Sequence, residues 1–122
     1  MIAKKFNNLI EIKYATINST NISDGRVYYF KIGNVVIVEF ASVVFTSTAI
    51  SGMGSNNTTV IVSGLPNSSP LSSQPVILTN LISEEGHTVR VTKSWDGGQI
   101  LGWWDAPKAN EKYCGVLVYR CE

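Results

Sequence analysis

At 122 residues the chain is one domain by length, able to close a single hydrophobic core but too short for two. Ten Lys and Arg against nine Asp and Glu leave a formal charge of +1, with no basic field and no basic run interleaved with aromatics, so nucleic acid is excluded as an expected partner. The apolar stretches fall far short of the roughly 20 residues a membrane helix needs, so no membrane insertion is expected.

The N-terminus, MIAKKFNNLIEIKYATI, has lysines early but meets Asn7 and Asn8 before an apolar stretch builds, which argues against a secretory signal and for synthesis in the cytoplasm. Ile2, Phe6 and Leu9 fall three to four residues apart and fit a short helix or an oligomer-forming arm. From Ile10 the spacing becomes Ile10, Ile12, Tyr14, which is period two, so a strand begins there. Clusters of Gly, Ser, Thr and Asn at 18–25, 46–59 and 63–74 then separate segments rich in Val, Ile, Thr, Tyr and Phe. The Asn-x-Ser/Thr triplets at Asn18, Asn21, Asn56, Asn57 and Asn67 read as loop polarity. Strands are expected over 26–32, 35–45, 59–62, 74–82, 88–94, 99–104 and 113–120.

With the strand near residue 10 this makes about eight short strands, and the expected fold is an all-β, jelly-roll-like antiparallel β-sandwich with a short N-terminal arm. Residues 1–25 form the arm and first strand, and 26–122 the sandwich head domain. Gly33-Asn34, between Tyr28-Tyr29-Phe30 and Val35-Val36-Ile37-Val38, is a Gly-first pair suited to a type II′ hairpin turn, the alternative being a bulge in one long strand. Asp96-Gly97-Gly98 predicts a second hairpin. Val35 to Val38 is apolar on both faces, so both must be covered, by a second sheet and a loop or by a neighbouring subunit.

Chemistry-bearing residues are few. Cys114 and Cys121 lie seven apart on one expected strand, which puts them on opposite faces and makes both free thiols. One histidine, His87, and no second cysteine pair offer no zinc constellation, and no cofactor is expected. Glu84 and Glu85 beside His87 are candidates for general acid–base work, but SEEGHTV, with Gly86 just before a strand, has the form of an exposed turn. Asp96 and Asp105 flank the Trp95–Trp104 hairpin and adjoin turn residues in the same way. No nucleophile elbow, phosphate loop or calcium-loop spacing occurs, and the chain is not expected to be an enzyme.

A binding role has more to draw on. Trp103 and Trp104 are adjacent on a strand and point to opposite faces, so one belongs to the core and the other lies outside or against another subunit. An exposed indole near Asp105, Lys108 or Asn110 would suit a sugar, whose CH face stacks on the ring while its hydroxyls bond short polar side chains. The candidate carbohydrate contacts are therefore Trp95, Trp103, Trp104, Asp105 and Asn110, against the competing reading that the tryptophans are packing or interface residues. An apolar fraction of 44%, one strand apolar on both faces and three tryptophans together give more apolar surface than one small core hides, which points to a symmetric oligomer.

The segments VYYFKIGNVVIVEF, VSGLPNSSP and YCGVLVYRC together resemble the C-terminal head domains of bacteriophage tail fibres, baseplate receptor-binding proteins and head fibres. There an aromatic-x-Lys-x-Gly-Asn-Val-Val strand pair precedes a Gly-Leu-Pro segment, a Gly-x-Ile strand and a closing Gly-x-x-x-Tyr strand. The resemblance spans about residues 26 to 120. It implies a homotrimer at a fibre tip on the virion, made in the bacterial host cytoplasm and binding a host-surface glycan, with the N-terminal arm directed towards another virion protein. Residues 1–25 depart from it by lacking a heptad or repeat-rich shaft. Two further functions stay open at this point: a structural decoration subunit without a glycan site, and a small glycan depolymerase using Asp96, Asp105 or Glu85.

Overall fold

A computed structural model describes residues 11–53, 58–68, 77–94, 98–103 and 107–121; the expected arm at 1–10 lies outside them. Nine strands occur among the described residues: β1 (Glu11–Tyr14), β2 (Thr16–Ile17), β3 (Ile22–Ile32), β4 (Val35–Phe45), β5 (Thr59–Ser63), β6 (Ile77–Ser83), β7 (Thr88–Lys93), β8 (Ile100–Trp103) and β9 (Lys112–Arg120). All pair antiparallel, in the order β1-β3-β4-β9-β6-β7-β8-β5-β2. The two ends of this order, β1 and β2, are consecutive pieces of one segment, so the sheet is nearly closed on itself. β9 meets β6 only through Ile82↔Cys114 and Ser83↔Tyr113, and at that corner the sheet divides into a β1-β3-β4-β9 layer and a β6-β7-β8-β5-β2 layer. The expected all-β sandwich is the fold observed.

Period-two patterning produces the core. Val27 and Tyr29 on β3, Val36, Val38 and Phe40 on β4, and Leu117 and Tyr119 on β9 face inward, against Leu81, Val89, Val91, Ile100 and Ile61 of the other layer. The β3–β4 hairpin joins Ile32 to Val35 through Gly33 (φ 58°) and Asn34, the II′ arrangement in which only the first central residue needs positive φ. β7 and β8 also form a hairpin, with Lys93 opposite Ile100; its tip at 95–97 lies outside the described residues.

Two irregularities keep the long strands in phase. The β3–β4 register shifts around Asp24 and Gly25, and the β4–β9 register shifts between Phe40 and Val43, where Ser42 adopts φ 54°. Each strand changes phase once, so Ile22 and Phe45, paired beyond the bulges, still face the core. Gly25 (φ 103°) lies directly on this crossing: a Cβ there would sit 2.5 Å from the Ser42 carbonyl oxygen and 2.5 Å from Val43 Cα.

Three expectations are corrected. The loop at 46–59 contains a helix, α1 (Ser47–Gly52), begun by Thr46, whose Oγ1 accepts from the Ala49 N–H at 3.1 Å and donates to the Thr20 carbonyl at 2.7 Å. Its polar sequence hid it because only Ala49 is fully buried and capping, rather than periodicity, sets its start. The 18–25 cluster is not all loop, since β3 begins at Ile22. Asn21 is not loop polarity either: it is buried, and its side-chain amide donates to the Val60 carbonyl at 2.6 Å.

Gly25→Ala is expected to lower unfolding stability by about 2–4 kcal/mol, from backbone strain plus overlap with the β4 bulge, read as a lower urea midpoint at unchanged m-value. Thr46→Ala should cost about 1 kcal/mol by the same measurement.

Candidate functional site

The sequence-predicted sugar contacts separate. Trp95, Trp104 and Asp105 lie outside the described residues, and Trp103 is placed only by its backbone, in β8 opposite Arg90. Asn110 is described: it is exposed, with φ 68°, in the turn leading into β9. It borders a polar cleft of about 290 Å³ together with Glu84, Glu85, Glu111 and Lys112.

The turn joining β6 to β7 forms one wall of this cleft. Glu84 and Glu85 are exposed there, as the SEEGHTV pattern predicts, and Gly86 (φ 86°) donates its N–H to the Ser83 carbonyl at 3.0 Å. Beneath them lies a cluster that sequence reasoning missed. Glu111 receives His87 Nδ1 at 2.8 and 3.0 Å on its two oxygens, and the Ser83 hydroxyl donates to Oε1 at 2.7 Å. The His87 backbone N–H in turn donates to Ser83 Oγ at 3.2 Å. His87 and Glu111 are 24 residues apart, and the β6–β9 corner pairing Ser83 with Tyr113 brings them together. No local motif signals that contact.

A serine, a histidine and a carboxylate together invite comparison with a nucleophile relay, but the connectivity is wrong. In a relay the imidazole accepts the serine proton, whereas here Ser83 and His87 both bond to the same carboxylate. Ser83 is also buried. Partial burial raises the Glu111 carboxyl, but the bonds from Ser83 and His87, the His87 charge and nearby Lys108 outweigh it and hold it below the usual range. A carboxyl biased towards ionisation is a poor general acid and a good anchor for a turn. Among the described residues no group of three or more His, Cys, Asp or Glu side chains could hold a metal ion. Cys114, on β9, is exposed and Cys121, just past its end, is buried; both are free and point to opposite sides, as their spacing predicts.

The second feature is the outer face of the β1-β3-β4-β9 layer. Register places Ile12, Phe30, Ile37 and Val118 in one row across the four strands, and Tyr14, Tyr28, Glu39 and Val116 in the next. Ile32, Val35 and Arg120 form a third row at the hairpin end. Tyr14 packs edge-to-face on Tyr28 with centroids 6.2 Å apart, and Tyr28 on Phe30 at 5.7 Å. The margins of this face are open to solvent, Tyr14 being 68% exposed, Ile12 60% and Val118 50%, while Tyr28, Phe30 and Ile37 between them are half-buried. Glu39 lies within the face beside Tyr28, and the interaction with its carboxylate, with burial, raises the Tyr28 phenol above its usual range. The apolar outer side of Val35 to Val38 is therefore not covered by any described part of the chain. The outer surface of β6 and β7 is mixed, with Asn80, Thr88 and Arg90 around the exposed Ile82.

Comparison with protein-family models, with curated protein sequences and with solved structures finds no match to any of them.

Because the folded state holds the Glu111 carboxyl below its unfolded value, that contribution is present above the ordinary glutamate pKa of about 4.3 and lost as pH falls through the lower folded value. Glu111→Gln should therefore flatten the acid limb of the stability–pH profile below about pH 4.3, measured by urea unfolding at a series of pH values.

Proposed function

We propose that this domain is a non-enzymatic phage or prophage fibre-tip head, a homotrimer that recognises a host-surface carbohydrate. The observation that carries the reading is the apolar outer face of β1-β3-β4-β9, a surface of the kind that marks a protein contact. The resemblance of residues 26 to 120 to phage fibre and receptor-binding heads supplies the number three and the glycan. A rigid sandwich packed against copies of itself leaves its connecting segments to face outward, and recognition residues commonly sit on such segments. On this reading the glycan contacts are Trp103 at the end of β8 and, in the segments flanking it, Trp95, Trp104, Asp105 and Asn110. The arm at 1–10 is directed to another virion protein. The virion is its place of action, after synthesis in the host cytoplasm.

Static light scattering on a sizing column should give three times the 13.3 kDa chain mass, stable on dilution. A glycan screen should return surface-polysaccharide binding that Trp104→Ala lowers at least tenfold without changing that mass. Assembly without any glycan binding would replace this reading with a structural decoration subunit, and release of reducing ends from a bound polysaccharide would replace it with a depolymerase.

A further inference from the structure

The four-stranded outer face consists of two unlike halves. On β1 and β3 it presents Ile12, Tyr14, Tyr28 and Phe30; on β4 and β9, at the positions mirrored about the line between β3 and β4, it presents a smaller side chain for each, Val118, Val116, Glu39 and Ile37 in that order. Rows run level across all four strands, so each bulky residue has a small one at the same height on the other half. Tyr14 and Tyr28 share a row with Glu39 and Val116, and Ile12 and Phe30 share one with Ile37 and Val118. At the hairpin end Ile32 is level with Val35 and Arg120, which with Val118 and Asn34 line an open hollow of about 550 Å³.

We infer that this face is the contact between copies of the chain, arranged about a rotation axis running along β3 and β4, so that the β1–β3 half of one copy packs on the β4–β9 half of the next. The inference rests on the reading of the domain as an assembly, and adds to it which surface is used and in what orientation.

Three observations select a second copy as the occupant. The first is size complementarity: rotation about an axis parallel to the strands keeps each row at its own height and brings large against small, the condition for interdigitated packing. An axis across the strands would instead set aromatic half against aromatic half and valine half against valine half. The second is area. With most of Tyr14 and Ile12 and about half of Ile32, Val35, Val116 and Val118 open, the exposed apolar residues of the face present on the order of 500 Å². That is at the upper end of the roughly 300–600 Å² of an ordinary monomer's largest apolar patch, and the half-buried Tyr28, Phe30 and Ile37 carry it towards the roughly 800 Å² each partner gives to a standard interface. The third is Glu39. Covering the face removes water from its carboxylate, which then requires hydrogen-bond donors. The rotation brings the Tyr14 hydroxyl of the neighbouring copy to the same row. Ile32 of that neighbour meets the hollow at the hairpin end.

The test is cysteine cross-linking between positions 14 and 116. Within one chain these positions are three strands apart, roughly 14 Å, too far for a disulfide. In the inferred arrangement they face each other across the interface. Tyr14→Cys with Val116→Cys, in a Cys114→Ser background, should give a covalent ladder on a non-reducing gel after mild oxidation. Tyr14→Cys with Asn80→Cys, which puts the second thiol on the outer side of the other layer, should not. Val118→Arg should reduce the solution mass to a single chain. If that chain cannot fold alone and Val118→Arg precipitates, the cross-linking decides. Absence of the 14–116 ladder in a protein whose wild-type mass exceeds one chain overturns this interface while leaving the assembly reading intact. A wild-type mass of one chain at every concentration overturns both.

Discussion

The architecture depends on residue 15. Up to Tyr14 the chain is hydrogen-bonded to β3; at Ala15 it gives its N–H to the Val27 carbonyl at 2.9 Å, and from Thr16 it belongs to β5. One segment thus serves as both ends of the sheet order, and the Asn18 N–H to Ile61 carbonyl bond, 3.0 Å, with the buried Asn21 amide on Val60, extends the seam. An open sheet of this size would leave two edges and half of its inner side chains in water. Joined here, the layers enclose one core. The small side chain at Ala15, nearly fully buried, is what lets the strand change partners without displacing that core.

Closure makes the treatment of polar groups inside the sandwich consequential. Lys93 points inward and is 1% exposed; its ammonium reaches Ser68 Oγ at 3.2 Å and the Ser94 carbonyl at 3.1 Å, and stands 4.6 Å from the centre of the Tyr119 ring. Tyr119, whose phenol burial pushes well above its usual range, donates to the Pro66 carbonyl at 2.7 Å. These bonds, with the Ser68–Cys121 bridge, fasten residues 65–68 across the end of the barrel. The Gly-Leu-Pro segment noted in the sequence thus acts as a strap whose attachments are polar. Among the described residues no buried side-chain nitrogen or oxygen lacks a partner.

Much of this was legible before the fold was known, and the division between what was and what was not follows sequence distance. The period-two spacing of Ile10, Ile12 and Tyr14 and the Val- and Ile-rich run from Val35 announce strands because both are demands of the pleat on neighbouring residues. Gly33 announces its turn because positive φ is a local demand. The apolar outer side of Val35 to Val38 was readable too, and the structure extends it across three further strands, whose register no single segment encodes. The His87–Glu111–Ser83 cluster and the Asn21–Val60 bond were not readable, since each joins polar residues whose proximity exists only after distant strands pair. The phase changes at Gly25 and Ser42 escaped for a related reason: each is unremarkable alone, and only their packing against each other explains them.

The strand order also governs the history of a nascent chain. β4 lies between β3, its immediate predecessor, and β9, and the contact of the Ser42 N–H with Cys114 Sγ spans 72 residues. A ribosome delivers β3 and β4 together, so their hairpin can form at once, but one long edge of β4, with Val36, Val38 and Phe40 beside it, then waits for nearly the whole remaining domain. Pairings of such separation form slowly, because loop closure precedes any reward from contact. During that interval the hairpin offers an unpaired apolar strand to every neighbour on the same polysome. Nascent copies held side by side would be the partners nearest to hand.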